Sequence, residues 1–210
     1  MQKVFVVVMG SGFPKDRPVN EAGWEILDVW GAKRLEAGIR RVRWLGDGAT
    51  LCLTGNLRNE VTGQTVADVS YELAMRELDE GYLHMILHRI FDYECSTRGD
   101  IQQAMTGALF TKENIHFEFV SEKPHFRRIT RIFLEEKRRH PQGALFLDYA
   151  FIPSGAPAPW WYYAKETMME FVIGRWGENS RAFKICWRVW DWCKTILLNM
   201  PRKPHLYNKR

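Results

Sequence analysis

The stretch that decides the fold is Val4-Phe5-Val6-Val7-Val8-Met9, with the Gly10-Ser11-Gly12 turn that follows it. This run is apolar throughout and rich in β-branched residues, and it lacks the polar alternation of a strand with one face in water. It predicts a strand buried on both faces, as in a parallel sheet covered by helices. The glycines after it allow the chain to turn tightly.

Strand-like and helix-like segments alternate five times from this stretch onward. Gly38 and Gly81 are predicted to end the first and second helices. Such alternation predicts an α/β fold, a three-layer Rossmann-like sandwich with a mostly parallel five-stranded sheet. The predicted strands are 4–9, 49–54, 84–90, 116–120 and 144–151, and the predicted helices between them are 20–37, 66–80, 97–109 and 124–139.

A Pro/Gly/Ala stretch at 153–159 separates this core from two further helices, predicted at 161–174 and 179–198. The second of these helices places Trp187, Trp190 and Cys193 on one face, and Lys184, Arg188 and Lys194 away from it. We expect a single domain over residues 1–210, with a Rossmann-like core at 1–153 and a C-terminal helical extension and basic tail at 154–210.

Composition excludes a disordered or fibrous chain, because 46% of the 210 residues are hydrophobic and 26% are charged. The net charge is +5, and the basic excess lies from Thr111 onward. This excess fits either an anionic partner or ordinary solvated helix faces. The four dispersed cysteines lack zinc-knuckle spacing, so we predict no metal site and a reducing, cytoplasmic location. The apolar run at the start is too short for a signal peptide or a membrane span.

In an open parallel sheet, ligands bind beyond the carboxyl ends of the strands. Among the residues that follow the first four predicted strands, His125 and Arg128 share a face in the first turn of a helix. His125 is predicted as a neutral acid/base catalyst, and Arg128 as a clamp for a carboxylate or phosphate. The other predicted ligand-binding residues at this edge are Gly10, Ser11, Gly12, Thr54, Gly55, Asn56 and Ser96.

Structural explanations stay open for several of these residues. Arg128 could instead pair with Glu122 or Glu94, and a capping box would account for Thr97 and Asp100. His84 and His88 point to one face of a predicted strand, but no third metal ligand is evident. Cys95 lies near the predicted crevice without a recognisable partner for nucleophilic chemistry.

Several of these loops resemble the YdcF/SanA/ElyC family of bacterial proteins over roughly residues 3–153. The matching blocks are Val7 to Gly12, Cys52 to Asn56, Glu72 to Met75 and Val120 to Arg128. The most specific block resembles the family's strand that ends in a small polar pair, followed by His, two residues and Arg. The chain departs from the family where Asn56 replaces a second glycine, and where Ser96, Gly99 and Gln102 only partly echo a Ser-x-x-Thr-x-x-Asn run.

The resemblance implies a Rossmann-like fold of the soluble YdcF-like branch, and it adds Glu72 to the expected pocket. It also implies a nucleotide-like ligand such as S-adenosylmethionine. We therefore expect a small anionic or nucleotide-like ligand at the strand ends, with transfer or hydrolysis as the reaction if the protein is an enzyme. The alternative is a non-catalytic module whose basic, Trp-rich second half binds a membrane surface or nucleic acid.

Overall fold

The structure is a computed structural model. It describes residues 3–13, 27–59, 62–87, 95–109, 114–140, 146–176 and 180–197. The chain divides into two compact units, residues 1–157 and residues 158–210. The expectation of a single domain, with its core ending at residue 153, stays a prediction.

The first unit contains one five-stranded sheet of strand order β3-β2-β1-β4-β5, in which every neighbouring pair is parallel. β1 lies at the centre, and its Val6 pairs with Leu51 of β2 and with Glu118 of β4. The strands are β1 (Lys3–Val8), β2 (Ala49–Leu53), β3 (Ile86–Leu87), β4 (Ile115–Ser121) and β5 (Phe146–Pro153).

Helices cover both faces of this sheet, because alternate residues of the buried strands point to opposite sides. On one side Val6, Val8 and Leu51 join a core with α1 (Val29–Leu45) and α2 (Val66–Glu77). On the other side Phe5, Val7 and Phe119 join a core with α3 (Thr97–Leu109) and α4 (Phe126–Arg139). The fold is therefore a three-layer α/β Rossmann-like sandwich, as the sequence predicts, with an entirely parallel sheet.

The prediction that Gly38 ends the first helix is wrong. Helix α1 begins at Val29, continues through Gly38 and ends at Leu45, while residues 14–26 lie outside the described ranges. A Cβ atom on Gly38 would lie 2.5 Å from Val8 Cγ2. The glycine therefore lets the helix approach β1 closely, and it serves packing rather than termination.

The region between α2 and β3 also differs from the prediction. α2 ends at Glu77 and not at Gly81, because the buried Leu78 takes an extended backbone conformation (φ −92°, ψ 134°). A 3₁₀ helix, Glu80–Met85, then occupies part of the predicted third strand. The described strand β3 is only Ile86–Leu87, and residues 88–90 lie outside the described ranges.

The second unit contains α5 (Trp160–Trp176) and α6 (Arg181–Leu197). Met169, Val172 and Ile173 of α5 pack with Phe183 of α6 in a small core of their own. Among the described residues, no helix of either unit is long and apolar enough to cross a lipid bilayer.

Candidate functional site

Strand order reverses between β1 and β4, since the chain leaves β1 towards β2 and leaves β4 towards β5. The loops that follow these two strands diverge, and in open parallel sheets this divergence opens a ligand crevice. Most buried polar residues of the first unit gather at this carboxyl edge. They are Arg34, Thr54, Thr65, Thr97, Asp100, Gln103, Ser121, Glu122, His125, Arg128 and Ser154.

The turn after β1 lies directly against the turn after β2. A Cβ atom on Gly10 would lie 2.5 Å from Gly55 Cα, and Gly55 itself has a φ of 117° that favours glycine. The Gly10 amide donates to Thr54 Oγ1 and to Asp100 Oδ2, each at 3.1 Å. Thr54 in turn donates its hydroxyl proton to the Val8 carbonyl at 2.8 Å. The structure thus brings three of the predicted ligand-binding residues together.

Ser11 and Gly12 hold the start of α1. Ser11 Oγ donates to Asp28 Oδ1 at 2.7 Å, and the same oxygen caps the helix by accepting from the Gly31 amide. The Gly12 carbonyl accepts from the Asp28 amide at 3.0 Å. These contacts give both residues a structural use at the edge of the crevice, alongside the predicted contact with a ligand.

Arg34 of α1 joins the strand ends from one side of the sheet. Its guanidinium donates to Glu122 Oε1 at 3.0 Å, to Glu122 Oε2, and to the carbonyls of Met9 and Gly10 at 3.0 and 2.6 Å. The Ser154 hydroxyl also donates to Glu122. Burial alone would raise the pKa of Glu122, but the charge and hydrogen bonds of Arg34 hold it below its ordinary value. The described cation that pairs with Glu122 is therefore Arg34, whereas the sequence suggests Arg128 for this role.

His125 and Arg128 lie on the other side of the same edge, and both are buried. Arg128 Nη2 lies 2.8 Å from His125 Nε2, and Ser121 Oγ lies 2.8 Å from His125 Nδ1. An arginine can only donate, so Nε2 must accept and the ring proton must be on Nδ1, which donates to Ser121. His125 is thus held as a neutral imidazole that orients Arg128.

The predicted capping box at the start of α3 is wrong in its residues. Ser96 caps the helix, because its Oγ accepts from the Gly99 amide at 3.1 Å. This releases Thr97 Oγ1 to lie 3.1 Å from His125 Nε2, and Asp100 Oδ2 to accept from Gly10. Because the cap lies one residue earlier than predicted, the side chains of Thr97 and Asp100 contact His125 and Gly10 instead of the helix end.

The last two predicted ligand-binding residues, Asn56 and Glu72, differ from each other in position. Asn56 follows Gly55 at the end of β2 and is half-buried at the same edge. Glu72 lies on α2 with its side chain at the helix surface, and it accepts from Gln64 Nε2 at 2.6 Å. Among the described contacts, Glu72 is therefore tied to the helix surface rather than to the strand ends.

Two cysteines, Cys52 and Cys95, lie near this cluster, the first buried and the second exposed. Burial, with a smaller contribution from the Asp100 charge, raises the pKa of the Cys52 thiol to about 12, so that thiol stays protonated. Cys95 is exposed beside the start of α3. The His84 side chain, His88 and Glu94 lie outside the described residues. In the part of the chain that the structure describes, no three His, Cys, Asp or Glu residues are placed to hold a metal ion.

Sequence reasoning missed Arg34 as a member of this edge, and it placed Thr97, Asp100 and Ser121 after the strands that end here without assigning them to the site. Arg34 did carry a signal, since it lies four residues after Trp30 and four before Gly38, on the face of α1 that the apolar residues predict to be buried. A charged residue on a buried face needs a partner, here Glu122. The partner's position, 88 residues away, had no local signal.

Together, the fold and the polar edge define a Rossmann-like α/β protein with a cluster of buried polar groups at the carboxyl ends of β1 and β4, where strand order reverses. Comparisons with protein-family models, with curated proteins and with solved structures find no match for the chain. The resemblance to the YdcF/SanA/ElyC family, and what it implies beyond the Rossmann-like fold, stay predictions.

Proposed function

We propose that the protein binds a small anionic or nucleotide-like ligand at the carboxyl ends of β1, β2 and β4. The observation that carries this proposal is the position of the buried Arg128 guanidinium, which His125 holds at the edge where strand order reverses. A guanidinium offers several donors in a planar fork that matches a carboxylate or a phosphate. A guanidinium bonds to an anion more strongly than to a neutral imidazole, which favours an anionic ligand at this position.

Backbone geometry at the same edge supports an anion. Helices α3 and α4 both begin there, at Thr97 and Phe126, and the start of a helix carries a partial positive charge. Gly10 and Gly55 approach each other closely, and neither has a side chain. No side chain of these two residues would therefore separate a ligand from the backbone of the two turns. A phosphate or carboxylate group fits these features, and a nucleotide or S-adenosylmethionine would present one.

If the protein is an enzyme, His125 is the residue we propose for acid/base chemistry. Its Nε2 lone pair accepts a hydrogen bond from Arg128 Nη2, and its Nδ1–H donates a hydrogen bond to Ser121 Oγ. An anionic group that drew Arg128 towards itself would release this lone pair to accept a proton from a nucleophile. Binding and base activation would then be linked, and transfer or hydrolysis on a phosphorylated or activated metabolite is the class of reaction that this arrangement would serve.

The binding proposal is tested by thermal unfolding with inorganic phosphate, pyrophosphate, AMP and S-adenosylmethionine. A ligand at about 100 times its dissociation constant stabilises the folded state by about 2.7 kcal/mol, which is a readily measured shift. We expect at least one of these probes to raise the midpoint, and Arg128→Gln to abolish the rise. Arg127→Gln is the matched control, because Arg127 is the exposed neighbour on the same helix turn.

His125→Gln separates the two parts of the proposal. The glutamine can still accept a hydrogen bond from Arg128, so a thermal shift should remain while turnover of any substrate is lost. Equal responses of the wild type and Arg128→Gln to all four probes would refute anion binding at this edge. Full turnover in His125→Gln would refute the acid/base assignment and leave the binding proposal intact.

A further inference from the structure

The outer face of α6 carries a regular pattern of basic and apolar side chains. Ile185, Val189 and Trp192 follow one another at helical spacing and are 50%, 51% and 55% exposed. The packed face of the helix lies opposite, where Phe183, Trp187 and Trp190 meet α5. Soluble surfaces rarely leave such a continuous apolar stripe in water.

Basic side chains lie beside this stripe in every turn. Arg181, Lys184 and Arg188 are exposed. Arg181 lies four residues before Ile185 and Arg188 four residues before Trp192, and Lys184 lies on the same flank of the helix, between the two arginines. Across the described side chains of α5 and α6, every exposed charged residue is basic, with Arg175 as the fourth. A partner of this surface must therefore present apolar groups and negative charges side by side.

We propose that the outer face of α6 lies on an anionic lipid bilayer surface. This face consists of the apolar stripe and the three basic residues beside it, six residues from Arg181 to Trp192. A bilayer presents anionic headgroups beside apolar acyl chains, which is the pairing that the stripe offers. Tryptophan favours the boundary between the two, where an indole ring meets both water and hydrocarbon. The aliphatic side chains of Ile185 and Val189 have no comparable use against nucleic acid, which rewards stacking rings and phosphate contacts.

The test is sedimentation of the full chain with phosphatidylcholine vesicles that contain about a quarter phosphatidylserine, and with pure phosphatidylcholine vesicles. We expect sedimentation with the anionic vesicles only, and weaker sedimentation as salt is added. Each basic side chain near such a surface strengthens binding about fivefold, so the triple variant R181Q/K184Q/R188Q should bind about 100-fold more weakly. Trp192→Ser should weaken binding without changing its salt dependence.

Two controls isolate the stripe. R127Q/R138Q/R139Q removes the same charge from exposed positions of α4 in the first unit, and it should bind as the wild type does. Phe171→Ser removes an exposed apolar ring from α5 and should also leave binding unchanged. Equal binding to neutral vesicles, an equal loss in either control, or binding of the wild type to single-stranded DNA but not to vesicles would each overturn the proposal. Far-ultraviolet circular dichroism of each variant confirms that the helices are intact.

Discussion

The carboxyl edge of the sheet holds two buried arginines, Arg34 and Arg128, in contrasting surroundings. Arg34 reaches the edge from the α1 side, where it meets the Glu122 carboxylate and two backbone carbonyls. Arg128 reaches it from the α4 side, where its described hydrogen bond goes to the neutral ring of His125. At similar burial, the described partners of Arg34 include a carboxylate, and the described side-chain partner of Arg128 is the His125 ring.

We propose that this difference separates a structural arginine, Arg34, from a ligand-binding one, Arg128. A buried ion pair with matched hydrogen bonds has little left to offer a ligand, and breaking it is costly. A hydrogen bond from a guanidinium to a neutral ring is weaker than one to a carboxylate or phosphate, which favours an anionic ligand beside Arg128. We therefore expect substitutions on the α1 side to affect the stability of the fold, and those on the α4 side to affect binding.

The largest effect should follow from Arg34→Met. This variant leaves the buried Glu122 carboxylate without the cation that lowers its pKa, and we expect the free energy of unfolding to fall by about 3–5 kcal/mol, measured by urea denaturation. The double variant R34M/E122L removes both charges and should recover most of the loss.

Arg40→Met is the matched control on the same helix. Arg40 pairs with Glu36 at the surface, where 61% and 41% of the two side chains are exposed. Such a pair contributes at most about 1 kcal/mol. If Arg34→Met and Arg40→Met cost the same, Arg34 does not have the structural role assigned to it.

Gly10→Ala should have the next largest effect, because it presses on the turn beside the carboxyl edge. The added methyl group would meet Gly55 Cα at 2.5 Å, and backbone can yield only by moving the strand ends apart. We expect a loss of about 1–3 kcal/mol in the free energy of unfolding. Gly48→Ala, with no atom within 4 Å of the new methyl group, should change stability by less than about 0.5 kcal/mol.

Acid should weaken the α1 side in a defined pH window. The pKa of Glu122 is below its unfolded value of 4.5, so its contribution to stability is complete above pH 4.5 and is lost as pH falls through the folded pKa. The stability difference between the wild type and Glu122→Gln should therefore shrink below pH 4.5, by no more than about 1.4 kcal/mol per pH unit. A difference that stays constant from about pH 6 to about pH 3, by urea denaturation, would show that Glu122 is not held in its charged form by Arg34.

How far the sequence predicts this edge depends on the range of the interactions. The order of the strands and crossover helices follows from local patterns of apolar residues, whereas the ends of α1 and α2 do not. The position of His125 and Arg128 in one helix turn follows from their spacing. The capping of α3 is also local, but Ser96 and Thr97 are adjacent and both favourable caps, so spacing alone does not identify the right one. If Thr97 were the cap, Asp100 would be expected to complete a capping box. No local pattern indicates its actual partner, Gly10, which is 90 residues away.

The smallest effect on stability is expected for Arg128→Gln without ligand. The glutamine amide can replace Arg128 as the donor to His125 Nε2, and a neutral amide costs less to bury than a guanidinium. We therefore expect the free energy of unfolding to change by about 1 kcal/mol or less, by urea denaturation in a buffer free of phosphate and sulfate. A loss as large as that of Arg34→Met would place both arginines in the structural class. With a small loss, any response to an added anion that disappears in this variant is an effect on the ligand site and not on the fold.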